Sequence, residues 1–315
     1  MQLLELAKIM QESGKPENFS LLIYGNAKTG KTTLAATIAK VEQIKRVFLL
    51  DVENGRETVV TMFREGKLTP EQAAKIEIIR VINTVQRPLA SETVLKLLTI
   101  HKDQTVCNNH GKIDCNDCKV DGKFTGTIFN ISKLTKEDVV ILDSGSAFAD
   151  AVLAYYMLKN GKGGIQSADK AGWDEFGPQG MDLNNALEVI QAAVFCNFIV
   201  VTHELTVEEE ISVMEGKEIK TVKIENRFPL IGTKNFCKKC AKYFGHVIYL
   251  HMGMKKHLGG SSSTYQYRTV SGSRGAWQIE NSKSLDLSVL FDDLYKEKMG
   301  IQLERIAPTE LKSEV

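Results

Sequence analysis

The residues from Gly25 to Thr32, "GNAKTGKT", fit the spacing G-x-x-x-x-G-K-[ST]. Such a run can do one kind of chemistry well, which is to hold a string of phosphates. Gly25 and Gly30 let the backbone turn, so that the amides across Asn26, Ala27, Lys28 and Thr29 point inward at a β-phosphate. Lys31 is a cation long enough to reach the β- and γ-phosphates. The Thr32 hydroxyl, with Thr33 behind it, suits Mg²⁺. A short apolar strand precedes the run and an Ala/Leu/Ile helix follows it, so the helix adds its positive N-terminal end to the same anion. A nucleoside triphosphate with Mg²⁺ is the expected ligand.

Acids at the tips of apolar runs are the second requirement. "VVILDS" places Asp143 after four apolar residues, where a carboxylate can hold the water shell of the metal. The alternative is a capping aspartate at a strand end. "VFLLDVENGRE" carries Asp51 and Glu53. If the strand runs through both, their side chains face one side about 6.6 Å apart, at the carboxyl edge where sheets of this kind bind ligands. The alternative for Glu53 is a cap on the next turn.

A third cluster is of a different type. "CNNHGKIDCNDC" gives Cys107-x2-His110-x4-Cys115-x2-Cys118, two ligand pairs that can close a tetrahedral zinc site. The Asn, Asp and Gly between them favour tight turns. So polar a loop has little core of its own, and metal would supply its order. His101 is a substitute for His110, and unpaired surface cysteines are the alternative reading. Cys237 and Cys240 share the x2 spacing but lie in an expected helix with no second pair nearby, and read as buried residues, a shared metal being the alternative. Cys196 reads as core.

The elements that must position these groups alternate strand and helix, which argues for an α/β fold with a mostly parallel sheet. A helix start is expected at Thr69 (N-cap) and Pro70 (N1). Residues 101–127 form a polar insertion and 160–180 a glycine-rich loop. A β-hairpin is expected over 208–225, turning at 215–217, followed by a lysine-rich helix at about 233–243. The expected division is an N-terminal helix (1–17), a core (18–280) containing the insertion, and a C-terminal helical tail (281–315).

Composition is that of a soluble globular chain, 43% hydrophobic and 25% charged. No run approaches the roughly 20 apolar residues of a membrane span, and the N-terminus lacks a cleavable apolar core. No membrane partner is expected, and the location is a cytoplasm. Six cysteines there do not read as disulfides. The net charge of +1 hides an acid-free block from Asn226 to Ile279 that holds Arg227, Lys234, Lys238, Lys239, Lys242, Lys255, Lys256, Arg268 and Arg274. This block suggests a local anionic partner; a solvated face is the alternative.

Taken in order, "GNAKTGKTTLAA", "LLDVENG", "VVILDSGSAF", "IVVTHE" and "PLIG" resemble phage and bacterial RecA-like P-loop ATPases of the AAA_24 type, which include the Sak-type single-strand annealing ATPases. The resemblance covers residues 18–280 and leaves out the cysteine insertion. It implies a RecA-like P-loop NTPase core in which Asp143 is the Walker B acid. It also implies that Glu53 is the general base, with Asp51 supporting the loop, and that Thr202 and His203 sense the γ-phosphate. ATP hydrolysis coupled to single-stranded DNA in phage-type recombination or annealing follows, in a homo-oligomer, with a single-strand-binding protein as a further partner. The cytoplasm would be a bacterial host's if the chain is phage-encoded.

Loops after the Walker B and sensor strands present DNA in such cores. Here Lys159, Lys162 and Lys170 stand near Trp173 and Phe176, cations beside stacking surfaces, which suits single strands. Both loops read equally as plain connections. Arg274, in "SGSRG", is the preferred cation for a neighbour's γ-phosphate, with Lys255 and Lys256 as rivals. A nucleotide-gated binding module with little hydrolysis and a small-molecule P-loop kinase are the competing functions. No N-K-x-D guanine reader is present, which argues against a GTPase.

Overall fold

Period-two alternation sorts the strand residues into two buried faces, and that sorting builds the sheet. The structure, a computed structural model, describes residues 18–84, 86–120, 123–124, 126–163, 170–192, 195–215, 218–252, 257–260, 267–269, 272–273 and 286–288. In chain order the strands are β1 (Ser20–Tyr24), β2 (Arg46–Asp51), β3 (Ile76–Arg80), β4 (Gln104–Cys107), β5 (Lys119–Val120), β6 (Lys123–Phe124) and β7 (Gly126–Phe129). They continue with β8 (Asp138–Asp143), β9 (Asn197–Thr202), β10 (Glu204–Glu215), β11 (Glu218–Pro229), β12 (His246–Met252), β13 (His257–Gly260), β14 (Tyr267–Thr269) and β15 (Gly272–Ser273). The α-helices are α1 (Lys31–Ala36), α2 (Arg56–Arg64), α3 (Pro70–Ala74), α4 (Leu89–Thr99), α5 (Gly145–Lys159), α6 (Trp173–Ala192) and α7 (Lys234–Cys237).

The main sheet has the order β13-β12-β1-β9-β8-β2-β3, with β15 also on β12. Every pairing from β12 to β3 is parallel, and β13 and β15 add antiparallel edges. Leu22, Leu50, Leu142 and Val200 pack on one side with Phe148 and Val152 of α5 and Leu183 and Leu187 of α6. Leu21, Leu49, Ile141 and Ile199 pack on the other with Leu34 of α1 and Val59 of α2. A strand covered on both faces needs a continuous apolar run, which is what the sequence shows. Each such side chain contributes about 1.5–3 kcal/mol on burial. The result is the expected α/β fold with a mostly parallel sheet.

Register then assembles the site. Asp51 of β2 pairs with Asp143 of β8, and Tyr24 of β1 pairs with both Thr202 of β9 and Tyr249 of β12. Four carboxyl ends therefore meet at one edge, and β9 is inserted between the phosphate-loop strand and the Asp143 strand. The order of strand addition reverses along this sheet, running from β1 out to β2 and β3 and back through β8 and β9 to β12, and such reversals are where open parallel sheets leave a crevice.

Several local expectations are corrected. β2 ends at Asp51, so Glu53 lies beyond the strand and the two carboxylates are not neighbours on one face. Helix α6 begins at Trp173 and includes Pro178, where a loop to Gly180 is expected. Buried Glu175 and Gln179 anchor that first part, Gln179 donating to the Ala149 carbonyl at 2.8 Å, which outweighs the hydrogen bond that proline removes. The lysine-rich helix is broken into α7 and a 3₁₀ turn at Cys240–Tyr243, because Cys237 and Cys240 both turn into the core. The hairpin β10–β11 is longer than expected, in register from Glu204↔Pro229 to Glu215↔Glu218, with β14 beside β11. Its tip at 216–217 lies outside the described residues.

The start of α3 follows the sequence, with Thr69 and Gln72 bonded reciprocally and Pro70 at the first helical position. The insertion folds as the ribbon β4–β7 with the short pair β5–β6. The expected N-terminal helix (1–17) lies outside the described residues, as does the tail apart from 286–288. There Leu287 is fully buried against the α1 side of the sheet, and Asp286 pairs with Lys40 at 2.7 Å. Among the described residues no helix is long and apolar enough to cross a membrane.

Candidate functional site

The phosphate-loop residues sit between β1 and α1, as the spacing requires. Gly30 begins α1 at φ +85°, a conformation that glycine adopts without strain. A Cβ at Gly25 would lie 2.0 Å from the Leu250 carbonyl oxygen, so the loop rests directly on β12. Asn26 accepts from the Ala27 amide at 2.7 Å and Thr29 donates to the Asn26 carbonyl at 2.9 Å, which fixes the turn. Lys28 takes φ +62° and is exposed, whereas Lys31 is buried. The Lys31 ammonium donates to the carbonyls of Gly25 and Asn26 at 3.0 and 2.6 Å. Burial pulls its pKa down, opposed by the negative charges of Asp143, Glu53 and Glu204.

Across the crevice, Thr32 donates its hydroxyl to Asp143 Oδ2 at 2.7 Å. Asp143 is 4% exposed. Burial raises its pKa to about 6, helped by the charges of Asp51 and Glu53 and opposed by the Thr32 hydrogen bond and Lys31. A hydroxyl and a carboxylate paired in a buried crevice, beside a second and third carboxylate, are the hard oxygen donors a divalent cation takes. The donor set fits Mg²⁺.

Glu53 stands at the open side of this pair. One of its oxygens accepts a short hydrogen bond from Ser144, and the other lies 2.8 Å from His203 Nε2. The His203 and Ser144 bonds hold its carboxyl below the usual range, against partial burial. His203 is itself oriented, its amide donating to Ser146 Oγ at 2.9 Å, and Ser146 donating to the Leu230 carbonyl at 2.7 Å. Thr202 is fully buried, and its hydroxyl has no hydrogen-bond partner. Asp51 is also buried, 3.9 Å from the Arg56 guanidinium, and burial raises its pKa. The edge therefore brings together Lys31, Thr32, Asp143, Glu53 and His203, and leaves Asp51 and Thr202 buried.

Three residues escaped the sequence reading. Ser144 caps α5 by accepting from the Ala147 amide at 3.1 Å while donating to Glu53. Ser146 braces His203. Both stand in "LDSGSAF", where small polar residues before an apolar helix read only as a cap. Gly55 is the third: a Cβ there would lie 2.0 Å from Asp143 Oδ2. Its signal was a glycine two residues after Glu53.

In the region expected to meet DNA, Trp173 is 91% exposed at the first turn of α6, and Lys170 is exposed beside it in sequence. Lys159 lies 5.8 Å from the centre of the Tyr156 ring. Lys162, by contrast, is paired with the buried Glu175 at 2.8 Å. Part of the acid-free block is neutralised too, Arg227 by Glu225 at 3.1 Å and Lys238 by Glu209 at 3.1 Å. Acids outside the block, one adjacent and one remote in sequence, thus cancel some of the expected basic surface. Arg274, Lys255 and Lys256 lie outside the described residues.

The ligating atoms of Cys107, His110, Cys115 and Cys118 all lie within 4.8 Å of one another, so this cluster could hold zinc. His101 is excluded from it, its ring facing Phe195 at 5.0 Å.

Comparison with known proteins places this geometry in a family. The model of the AAA_24 family, an AAA domain, matches residues 17–269. No curated protein matches. Among solved structures, a prototypical ATPase from the type III secretion system of pathogenic bacteria is similar at 14% identity and a TM-score of 0.40. That match covers 74% of this chain and 51% of the other, so the chain spans about half the length of that ATPase. The RadB recombinase is similar at 16% identity and a TM-score of 0.35, over 77% of this chain and 81% of its own.

Proposed function

We propose, since the chain belongs to the AAA-domain family matched over residues 17–269, that its RecA-like P-loop ATPase domain hydrolyses ATP in step with binding single-stranded DNA. The observation that carries the ATPase reading is the hydrogen bond from Thr32 to the buried Asp143, with Glu53 held beside it. The amides from Asn26 to Thr32 and the Lys31 ammonium bind the phosphates. Thr32 and Asp143 hold Mg²⁺, which neutralises charge on the outer phosphates when bound. Glu53, kept ionised, orients a water and takes its proton as the water oxygen attacks the γ-phosphorus and the bond to the β–γ bridging oxygen breaks. ADP and phosphate are the products. Ser144 and His203 position Glu53, and His203 is the γ-phosphate sensor.

Trp173 supports the DNA half of the reading. An exposed indole offers a base a stacking surface worth about 1–3 kcal/mol, and Lys159 and Lys170 flank it in sequence. We read the assembly as a homo-oligomer in which a neighbour supplies a cation to the γ-phosphate, Arg274 being the first choice. Recombination or annealing in a bacterial cytoplasm is the setting this implies. The Cys/His cluster enters as a structural zinc site.

The test is ATP hydrolysis at fixed salt, with and without single-stranded DNA, on the wild type, Lys31→Ala and Trp173→Ala. DNA-stimulated turnover that is lost in the first variant and uncoupled from DNA in the second is the expected result. Turnover indifferent to DNA in the wild type would refute the DNA half. One observation favours a second reading, a nucleotide-gated switch with little hydrolysis: both oxygens of Glu53 are already engaged. Glu53→Gln separates the two, since a switch would keep its turnover.

A further inference from the structure

We infer that Cys107, His110, Cys115 and Cys118 bind one zinc ion through three thiolates and His110 Nδ1, and that this ion latches the insertion onto the end of β3, next to the Asp51 turn. The inference rests on reading the cluster as a zinc site and adds to it the ligand atoms, the closed coordination and a mechanical role.

The two sulfur–nitrogen distances at His110 are close to those of a tetrahedron. Zinc–sulfur bonds of about 2.3 Å and zinc–nitrogen bonds of about 2.0–2.1 Å put a sulfur and a nitrogen about 3.6 Å apart on one ion. His110 Nδ1 lies 3.6 Å from Cys115 Sγ and 3.3 Å from Cys118 Sγ. Two supporting donors are in place, the His110 amide to Cys107 Sγ at 3.2 Å and Asn109 Nδ2 to Cys118 Sγ at 3.6 Å. N–H groups aimed at sulfur stabilise the negative charge that thiolates retain on the metal. Cys107 and Cys115 are 1% and 0% exposed, and four protein ligands complete the shell of a structural site rather than a catalytic one. Binding displaces the thiol protons of the three cysteines into solvent, leaving a Zn(S⁻)₃N centre of net charge −1.

The same turn is what docks the insertion. The His110 carbonyl accepts from the Ile82 amide at 3.1 Å, just past β3. Gly111, at φ +70°, presses so close that a Cβ would lie 1.9 Å from the Arg80 carbonyl oxygen. Thr93 of α4 donates to the Gly111 carbonyl at 2.8 Å. One residue before Ile82, the Val81 amide donates to the Asp51 carbonyl at 2.9 Å. Two consecutive amides therefore join the metal turn on one side to the strand that leads into Glu53 on the other. Among the described residues the insertion contributes little apolar burial beyond its cysteines, with Val106 buried and Ile113 half-buried against the core. Coordination is what gives the His110–Gly111 turn its fixed shape.

The experiment uses the full chain. Zinc is counted after purification without added metal, and the protein is then stripped and refilled with cobalt to read the tetrahedral thiolate spectrum. Hydrogen exchange follows the amides of Val81 and Ile82 in the zinc-bound and stripped forms, with the β8 amides as the internal control. One zinc per chain, a cobalt spectrum that needs His110, and loss of Ile82 protection on stripping with β8 still protected are the expected results. Substoichiometric zinc with no tetrahedral cobalt spectrum would overturn the metal site itself. One tightly held zinc with Ile82 equally protected in both forms would overturn the latch while leaving the metal site standing. Because stripping acts on the wild-type chain, a cysteine variant that fails to fold does not decide the question. Turnover measured on Lys31→Ala separates these outcomes from failure of the ATPase reading, since that variant keeps its zinc under the inference.

Discussion

The nucleotide edge and the cysteine insertion hold polar groups to comparable tolerances by opposite means. At the edge, Asp143 and Thr32 meet because parallel strands buried on both faces put their ends in register, and the register is set by apolar residues such as Leu142 and Leu50, which bind no ligand themselves. In the insertion, four ligand atoms converge within 4.8 Å on a segment with little core around it. The first arrangement survives loss of any one polar group, because none of them holds the strands. The second is proposed to depend on the groups themselves. The difference predicts which substitutions destroy activity without touching the fold, and which do the reverse.

The sharpest case is Lys31→Ala. It removes a buried cation from a turn already fixed by Asn26, Thr29 and Gly30, so the melting temperature should change little. Turnover should fall on the order of 10²–10³-fold, as when a preorganised charge is removed from a transition state. Parallel calorimetry and phosphate release measure both. A large stability loss would show that the edge is held by its polar groups after all.

Gly55→Ala probes the same contrast by shape alone. Gly55 has an ordinary φ of −57°, so alanine is excluded by contact rather than conformation, chiefly with Asp143, whose Oδ2 and Cγ lie 2.0 and 2.9 Å from where its Cβ would stand. Asp143 is buried and tied to Thr32, so it must shift. A displacement near 1 Å at a reacting centre costs on the order of 10²-fold in rate, and the loss should appear as weakened Mg²⁺ dependence with ATP-analogue binding retained. Unchanged turnover would remove Asp143 from the metal's coordination.

The insertion answers to a gentler change. Asn109→Ala removes the N–H donor to Cys118 Sγ and no ligand. Outer-shell partners of this kind typically cost about 10-fold or more in metal affinity. Competition with a chromophoric chelator should therefore show weaker zinc retention, while turnover in excess zinc matches the wild type. Equal retention would mean that this hydrogen bond does not tune the site.

What the sequence revealed follows the same division. Motif spacing singled out Lys31, Thr32, Asp143 and the Cys/His set, and the family resemblance added Glu53; the structure brings the first three and Glu53 to one edge and the Cys/His ligands to one cluster. Spacing did not show that β2 stops at Asp51, since "VFLLDVE" continues its alternation past the point where Val52 and Glu53 bond to the Asp143 carbonyl instead of extending the ladder. Ser144, Ser146 and Gly55 were illegible for a related reason. Each matters through a contact with a residue remote in sequence, and nothing local distinguishes a serine that caps a helix from one that also carries Glu53. The long-range pairs Lys162–Glu175 and Lys238–Glu209 hid the neutralisation of the basic surface in the same way.

A third kind of fastening, between the other two, is the carboxylate of Glu175. It is fully buried at the start of α6 and accepts from Asn160 at 2.7 Å, from the Gly172 amide at 2.7 Å and from Lys162 at 2.8 Å. One side chain thus ties the end of α5 to the segment before Trp173. The Lys162, Asn160 and Gly172 hydrogen bonds, in that order of weight, depress its pKa to about 2, against an unfolded value near 4.3. A depressed carboxyl pKa contributes stability that is fully present above the unfolded value and is lost as pH falls through the folded one. The window is therefore about pH 5 down to about 2. Between pH 5 and 3 the wild type should lose melting temperature more steeply than Glu175→Gln, whose amide does not titrate. At pH 7 the same variant should be the less stable of the two, because the amide cannot accept all three bonds and leaves Lys162 without its partner. Equal slopes in the two proteins would mean that α6 is seated by its apolar face alone, as the strands are, and that Trp173 owes its position to packing rather than to charge.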